Sequence, residues 1–217
     1  HSNSRWRERN RYHFAREMTD VEILVSELKV LFSDYVVAFT KKGDEMTLVV
    51  LLSLWNNRNF YVNSENKWLS NYTPAALRGH PFSIKQDSSS STTYSLYIDS
   101  AHISENENDK VIYDDEGNYE LEVMGFVNFL GQRERDFNLT KRACDSLNEF
   151  GLIKPWELKI NTEDGPQLLE NLYCIDEVAL SSVSADILKK IRDDSGLIVA
   201  YAQLFSISRI SQLTKRA

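Results

Sequence analysis

The chain has 217 residues, carries 25 Lys and Arg against 32 Asp and Glu for a formal net charge of −7, and is 42% hydrophobic and 26% charged. That length supports one large domain or two small ones, and the apolar share excludes wholesale disorder. Eight glycines and four prolines exclude a fibrous chain, and no apolar run reaches the roughly eighteen residues a membrane helix needs.

Residues 1–16 read as an extended or loosely helical arm. Val21, Leu24, Val25, Leu28 and Leu31 recur at three- and four-residue steps and predict an amphipathic helix. Tyr35–Thr40 and Met46–Leu54 flank Lys41-Lys42-Gly43-Asp44-Glu45 as a hairpin, and the continuous run Leu48-Val49-Val50-Leu51-Leu52 predicts a central strand buried on both faces. Asn56-Asn57-Arg58-Asn59 makes a turn before a short strand at Phe60–Val62. Thr73 and Pro74 suit the cap and first position of a short helix that Gly79 closes. Phe82–Ile84 and Tyr94–Ile98 predict further strands, split by a polar loop at Ser88–Ser91. The acidic stretch from Asp99 to Glu116 reads as a long solvated loop.

A long helix follows from about Asn118 to Phe150, with Gly125 and Gly131 as points for a kink. Trp156–Ile160 alternates as a half-buried strand, Asp164-Gly165 turns, and Leu168–Ile175 returns as its partner. Asp176 and Ser184 suit the N-caps of two short helices, and Gly196 precedes a final helix over Leu197–Leu213. The order lacks strand–helix alternation. It predicts an α+β fold with a mainly antiparallel sheet, a long amphipathic helix and a helical C-terminus. The expected division is a basic N-terminal arm, 1–16, and a single domain, 17–217.

Charge is regional. Residues 1–16 hold five arginines against Glu8, a local +4, residues 99–122 hold nine acids against Lys110, a local −8, and the remainder nets −3. An acidic body repels nucleic-acid phosphates, so only the arm is suited to bind them, and no nucleic-acid partner is expected. Arg5, Arg7, Arg9 and Arg11, interleaved with Trp6, Tyr12 and Phe14, are candidates for contact with a protein partner; the competing reading docks the arm's aromatics on its own body.

Cys144 and Cys174 offer neither a disulfide framework nor zinc spacing and read as buried free thiols. His1, His13, His80 and His102 show no metal-ligand spacing, although His80 and His102 are placed to meet in space. Asp114 to Asn118 resembles part of a calcium loop but lacks the upstream ligands, and a solvated turn explains it better. Ser26-Glu27-Leu28-Lys29 matches Ser-x-x-Lys at the rate chance gives, and no nucleophile elbow or phosphate loop is present. The sequons at Asn71 and Asn138 matter only in a eukaryotic secreted protein, and Asn138 falls mid-helix. No cofactor and no metal is therefore expected. The start is Arg-rich with no apolar segment after it, so no signal peptide is visible and a cytoplasmic location is expected.

Several stretches together carry a resemblance. They are Asp34-Tyr35-Val36-Val37-Ala38-Phe39-Thr40-Lys41, Lys67-Trp68-Leu69, Tyr72-Thr73-Pro74-Ala75-Ala76-Leu77-Arg78-Gly79-His80-Pro81-Phe82, Gly151-Leu152-Ile153-Lys154-Pro155-Trp156 and Gly196-Leu197-Ile198-Val199-Ala200-Tyr201-Ala202-Gln203. The chain resembles the bacterial SapC family over nearly its whole length. The family is named for a surface-layer-associated protein, and its genes often neighbour those of TonB-dependent receptors and flavin-dependent tryptophan halogenases. The resemblance supplies no catalytic residue. The chain departs from the family where His80 replaces a usual aromatic and Gln203 a frequent His.

The resemblance implies a non-catalytic interaction protein tied to the surface layer or an envelope gene cluster. The alternative it implies is an accessory subunit or enzyme acting with a halogenase or other oxidoreductase on a peptide or small molecule. Within the Pro-Ala-x-Leu-Arg-x-x-Pro-Phe signature, Arg78 is suited to anchor a carboxylate, with Trp68 and His80 beside it as ligand-binding candidates; the competing reading pairs Arg78 with an acid of its own domain. A protein partner and self-association are the expected interactions.

Overall fold

The structure is a computed structural model and describes residues 4–55, 58–87, 93–162 and 165–216. The expected Ser88–Ser91 loop, the Asn56-Asn57 half of the first turn, Asp164 of the later turn and His1 lie outside those residues.

In chain order the elements are β1 (Arg5–Trp6), β2 (Asp20–Glu22), a 3₁₀ turn at Val25–Glu27, α1 (Leu28–Leu31), β3 (Val36–Lys42), β4 (Glu45–Leu51), α2 (Ala75–Arg78), β5 (Phe82–Gln86) and β6 (Tyr94–Ile98). Then come a 3₁₀ turn at Ser100–His102, β7 (Ile103–Ser104), β8 (Lys110–Val111), α3 (Leu121–Glu149), β9 (Ile153–Pro155), β10 (Lys159–Thr162), β11 (Gly165–Leu168), β12 (Tyr173–Ile175), α4 (Glu177–Ser181), α5 (Ala185–Asp193), α6 (Gly196–Ser206) and α7 (Ile210–Thr214). The main sheet runs β2-β4-β3-β12-β9, all antiparallel, with β3 and β4 joined by the expected hairpin at Gly43. Val36–Phe39 and Leu48–Leu51 are buried throughout, as a strand covered on both faces requires. The fold is α+β.

Two hydrophobic clusters organise the molecule. The larger surrounds the main sheet and takes in the C-terminal half of α3 through Ala143, Cys144 and Leu147. The smaller is built from Trp6, Phe82, Ile112, Val123 and Leu130, where the N-terminal strand, the β5–β6 hairpin and the first half of α3 meet. At 1.5 Å per residue α3 is about 43 Å long, enough to serve both. It stays unbroken through Gly125 and Gly131, because its buried stripe on each side of them is fixed by separate clusters.

Several elements differ from expectation for identifiable reasons. The predicted helix over Val21–Leu31 is a strand, a 3₁₀ turn and one turn of α-helix: Val21 pairs with Val50 at the sheet edge, and Glu27 Oε2 accepts the Leu24 N–H, so the helix starts late. Pro74, not Thr73, caps α2, because the Thr73 hydroxyl is engaged with Tyr12. Gly79 closes α2 in right-handed geometry; what demands a glycine is contact, since a Cβ there would lie 2.8 Å from Leu130 Cδ2 on α3. The acidic stretch is not only loop, for β7 and β8 hold β1 between them. Leu168–Ile175 divides into β11, which pairs with β10, and β12, which joins the main sheet. The last helix breaks at Ile207–Arg209. Asp176 and Ser184 cap α4 and α5 with their side chains, and both cysteines are buried free thiols.

Candidate functional site

The segment from Trp68 to Phe82 is fixed from below by Glu27. This carboxylate is 4% exposed, and three donors are directed at it. Oε2 accepts the Leu24 N–H at 3.0 Å; Oε1 accepts the Ala75 N–H at 2.7 Å and the Tyr72 hydroxyl at 3.0 Å. Burying a charge is costly unless it is satisfied in this way. Burial and the adjacent Glu27 charge push the Tyr72 phenol up to about 12, so it stays protonated and keeps donating. Its oxygen in turn accepts from Arg78 Nη2 at 2.9 Å.

Arg78 is exposed at the end of α2. Its guanidinium lies 5.2 Å from the Tyr72 ring centre and 5.0 Å from that of Phe129 on α3. Arg78, Glu122, Gly125, Phe126 and Phe129 line a surface groove of about 250 Å³. Glu122 is held by Lys110 at 2.6 Å, which also binds Glu8 of the arm. Among the described residues Arg78 forms no ion pair with an acid, and its hydrogen bond to Tyr72 engages one of the guanidinium's five N–H groups. Gly125 leaves the groove open: a Cβ built there meets nothing within 4 Å.

Trp68 and His80 lie elsewhere on the same segment and do not line this groove. Trp68 Nε1 donates to the Tyr35 hydroxyl at 2.9 Å and the Tyr72 carbonyl at 3.1 Å, and its ring packs on Tyr12 and Tyr61. Burial pushes the Tyr35 phenol up to about 12. His80 stacks on Phe14 with ring centres 3.9 Å apart and meets His102, Nε2 to Nε2, at 3.2 Å. Trp68 and His80 thus anchor the chain that follows β1, while Arg78 faces outward.

Four of the five arm arginines reach the body. Arg5 reaches the Asp109 carbonyl, Arg9 the Leu77 carbonyl and Arg11 the Glu65 carbonyl, while Arg7 pairs with the Asp109 carboxylate at 3.8 Å. Trp6 is fully buried. Burial pushes the Cys144 thiol up to about 12 and raises Cys174 as well, which makes both poor nucleophiles. Among the described residues no group of three His, Cys, Asp or Glu is placed to hold a metal, and no helix is long and apolar enough to cross a membrane.

The sequence pointed to Arg78 through its signature but missed Glu27, Tyr72, Phe126 and Phe129. Glu27 was legible only as a helix residue, and the phenylalanines sit on a helix face that looks like ordinary amphipathic spacing.

The family model of SapC matches residues 1–213. The chain belongs to the SapC family. The matched span includes β1, the Glu27–Tyr72–Arg78 chain and the groove face of α3, so every part of the candidate site lies within SapC sequence. No curated protein and no solved structure matches the chain.

Proposed function

We propose that this SapC-family chain is a non-catalytic interaction protein of the bacterial surface layer or an envelope-associated gene cluster, and that it docks a carboxylate of a protein partner at Arg78. The observation that carries the reading is the state of that guanidinium: oriented by Tyr72, backed by Phe129, open to solvent and free of an internal acid among the described residues. A carboxylate meeting such a fork gains two parallel charge-assisted hydrogen bonds. The aromatic wall of Phe126 and Phe129 offers an apolar neighbour of that carboxylate a surface to cover. Arg5, Arg7, Arg9 and Arg11 are committed to carbonyls and an acid of their own chain, so the contact is assigned to Arg78.

The test is affinity capture from the native bacterium with wild type, Arg78→Ala and Arg78→Lys, each verified as folded by circular dichroism. The reading expects a defined protein to be retained by wild type, weakened by Lys, lost with Ala and released by salt. Identical captured sets from all three baits contradict it. If the protein lost is a flavin-dependent enzyme, the chain is an accessory subunit of that enzyme.

A further inference from the structure

Two neighbouring histidines hold the N-terminal segment at two points. His102, 8% exposed, bonds Arg7 twice: its carbonyl accepts the Arg7 N–H at 2.8 Å, and its Nδ1 lies 2.8 Å from the Arg7 carbonyl oxygen. A carbonyl only accepts, so Nδ1 carries the proton and the Nε2 of neutral His102 is an acceptor. The 3.2 Å contact to His80 Nε2 then requires His80 to donate from that nitrogen. His80 holds the arm again, further along, by stacking on Phe14. Between the two grips the chain is exposed from Arg7 to Arg11 apart from half-covered Arg9 and is otherwise without regular structure. Before them, Trp6 fills the smaller hydrophobic cluster.

We propose that His80 and His102 form a proton-sensitive clasp that keeps the N-terminal strand seated between β7 and β8 at neutral pH and loosens its hold on mild acidification. A proton added to His80 preserves the Nε2 contact, because His102 Nε2 still accepts, but it puts a charge on a ring stacked on Phe14 and partly withdrawn from water. With both rings protonated, two N–H groups face each other at the same contact and two like charges adjoin. The groups facing the pair are Asp99, with its Oδ2 4.0 Å from His80 Nε2, and Arg9 and His13 from the arm side. Asp99 favours a proton on His80; Arg9, His13 and His102 oppose it. Burial is the largest influence and acts with them against Asp99, so the docked ring is held down at about 4.

The released arm returns His80 to its ordinary range near 6.5 and therefore binds more protons than the docked arm. Docking is fully favoured above about pH 6.5 and weakens as pH falls from there toward 4. Discounted for the ring's partial exposure, the docking constant falls on the order of tenfold between pH 7.5 and 5.

The test is amide hydrogen exchange of the full chain, expressed as protection factors so that intrinsic pH effects cancel, with the Trp6 indole signal as a second reporter. In wild type the protection of the Arg7 amide and of the Trp6 indole N–H should each fall about tenfold from pH 7.5 to 5. In His80→Gln/His102→Asn the amides stand in for the donating nitrogens without titrating, and protection should stay level. Equal behaviour of the two proteins, or no loss in wild type, overturns the clasp. Should the double variant not fold, ¹⁵N imidazole spectra of wild type at pH 7.5 decide: His102 protonated at Nδ1 and His80 at Nε2 support it, and any other pairing overturns it.

Discussion

Glu27 is the residue on which the candidate site rests. Three donors converge on its two oxygens in a place water barely reaches. Glu27→Gln keeps the shape but turns one acceptor into an NH₂ group facing a donor. That leaves a buried N–H unsatisfied, at a cost of about 2 kcal/mol. Chemical denaturation should show the midpoint falling at unchanged slope, and Arg78 should lose its fixed position. Ser26-Glu27-Leu28-Lys29 displayed this residue in the sequence only as part of a chance motif. Its role depends on Tyr72 and Ala75, more than forty residues away, and no local pattern encodes such a meeting. The cysteines were easier to read, since burial follows from their apolar neighbours. With Cys144 pushed up to about 12, both thiols should react with Ellman's reagent only after denaturant is added.

At the scale of elements, α3 shows where sequence reading works and where it stops. Its length and buried stripe were legible, as were the β3–β4 hairpin and the caps at Asp176 and Ser184, because each is written in local spacing. The glycines in α3 were read as weak points. In the structure Gly125 is instead the floor of the groove, and a Cβ there clashes with nothing. Gly125→Ala should therefore raise stability by about 0.5–1 kcal/mol through helix propensity, measurable as a higher Tm, while weakening partner capture at Arg78. Gly79→Ala should do the reverse to stability, since its Cβ meets the Leu130 side chain at 2.8 Å and forces α2 away from α3.

Across the whole molecule, the two charged regions that stood out in the sequence are brought together. The arm lies along the acidic stretch, with Arg5 and Arg7 on Asp109 and Glu8 on Lys110. Burial of Trp6, more than those exposed pairs, holds the arrangement. Trp6→Ala should destabilise the fold by about 3–5 kcal/mol, whereas Arg7→Ala should stay within about 0.5 kcal/mol, both read from thermal unfolding at pH 7.5. The pairing of a middle strand by two residues at the chain's beginning was not readable from sequence, because two-residue strands carry no periodicity.

Recognition of a carboxylate by Arg78 and its aromatic wall is the property on which the proposed function rests. Selecting a random peptide library on the wild-type protein, with counter-selection on Arg78→Ala, tests it most directly. Enriched peptides should carry an Asp, a Glu or a free C-terminus beside an apolar residue, bind at least tenfold more weakly to Arg78→Ala, and perturb the amides of Gly125 and Phe126. Peptides without a carboxylate, or binding unchanged by the substitution, would contradict it.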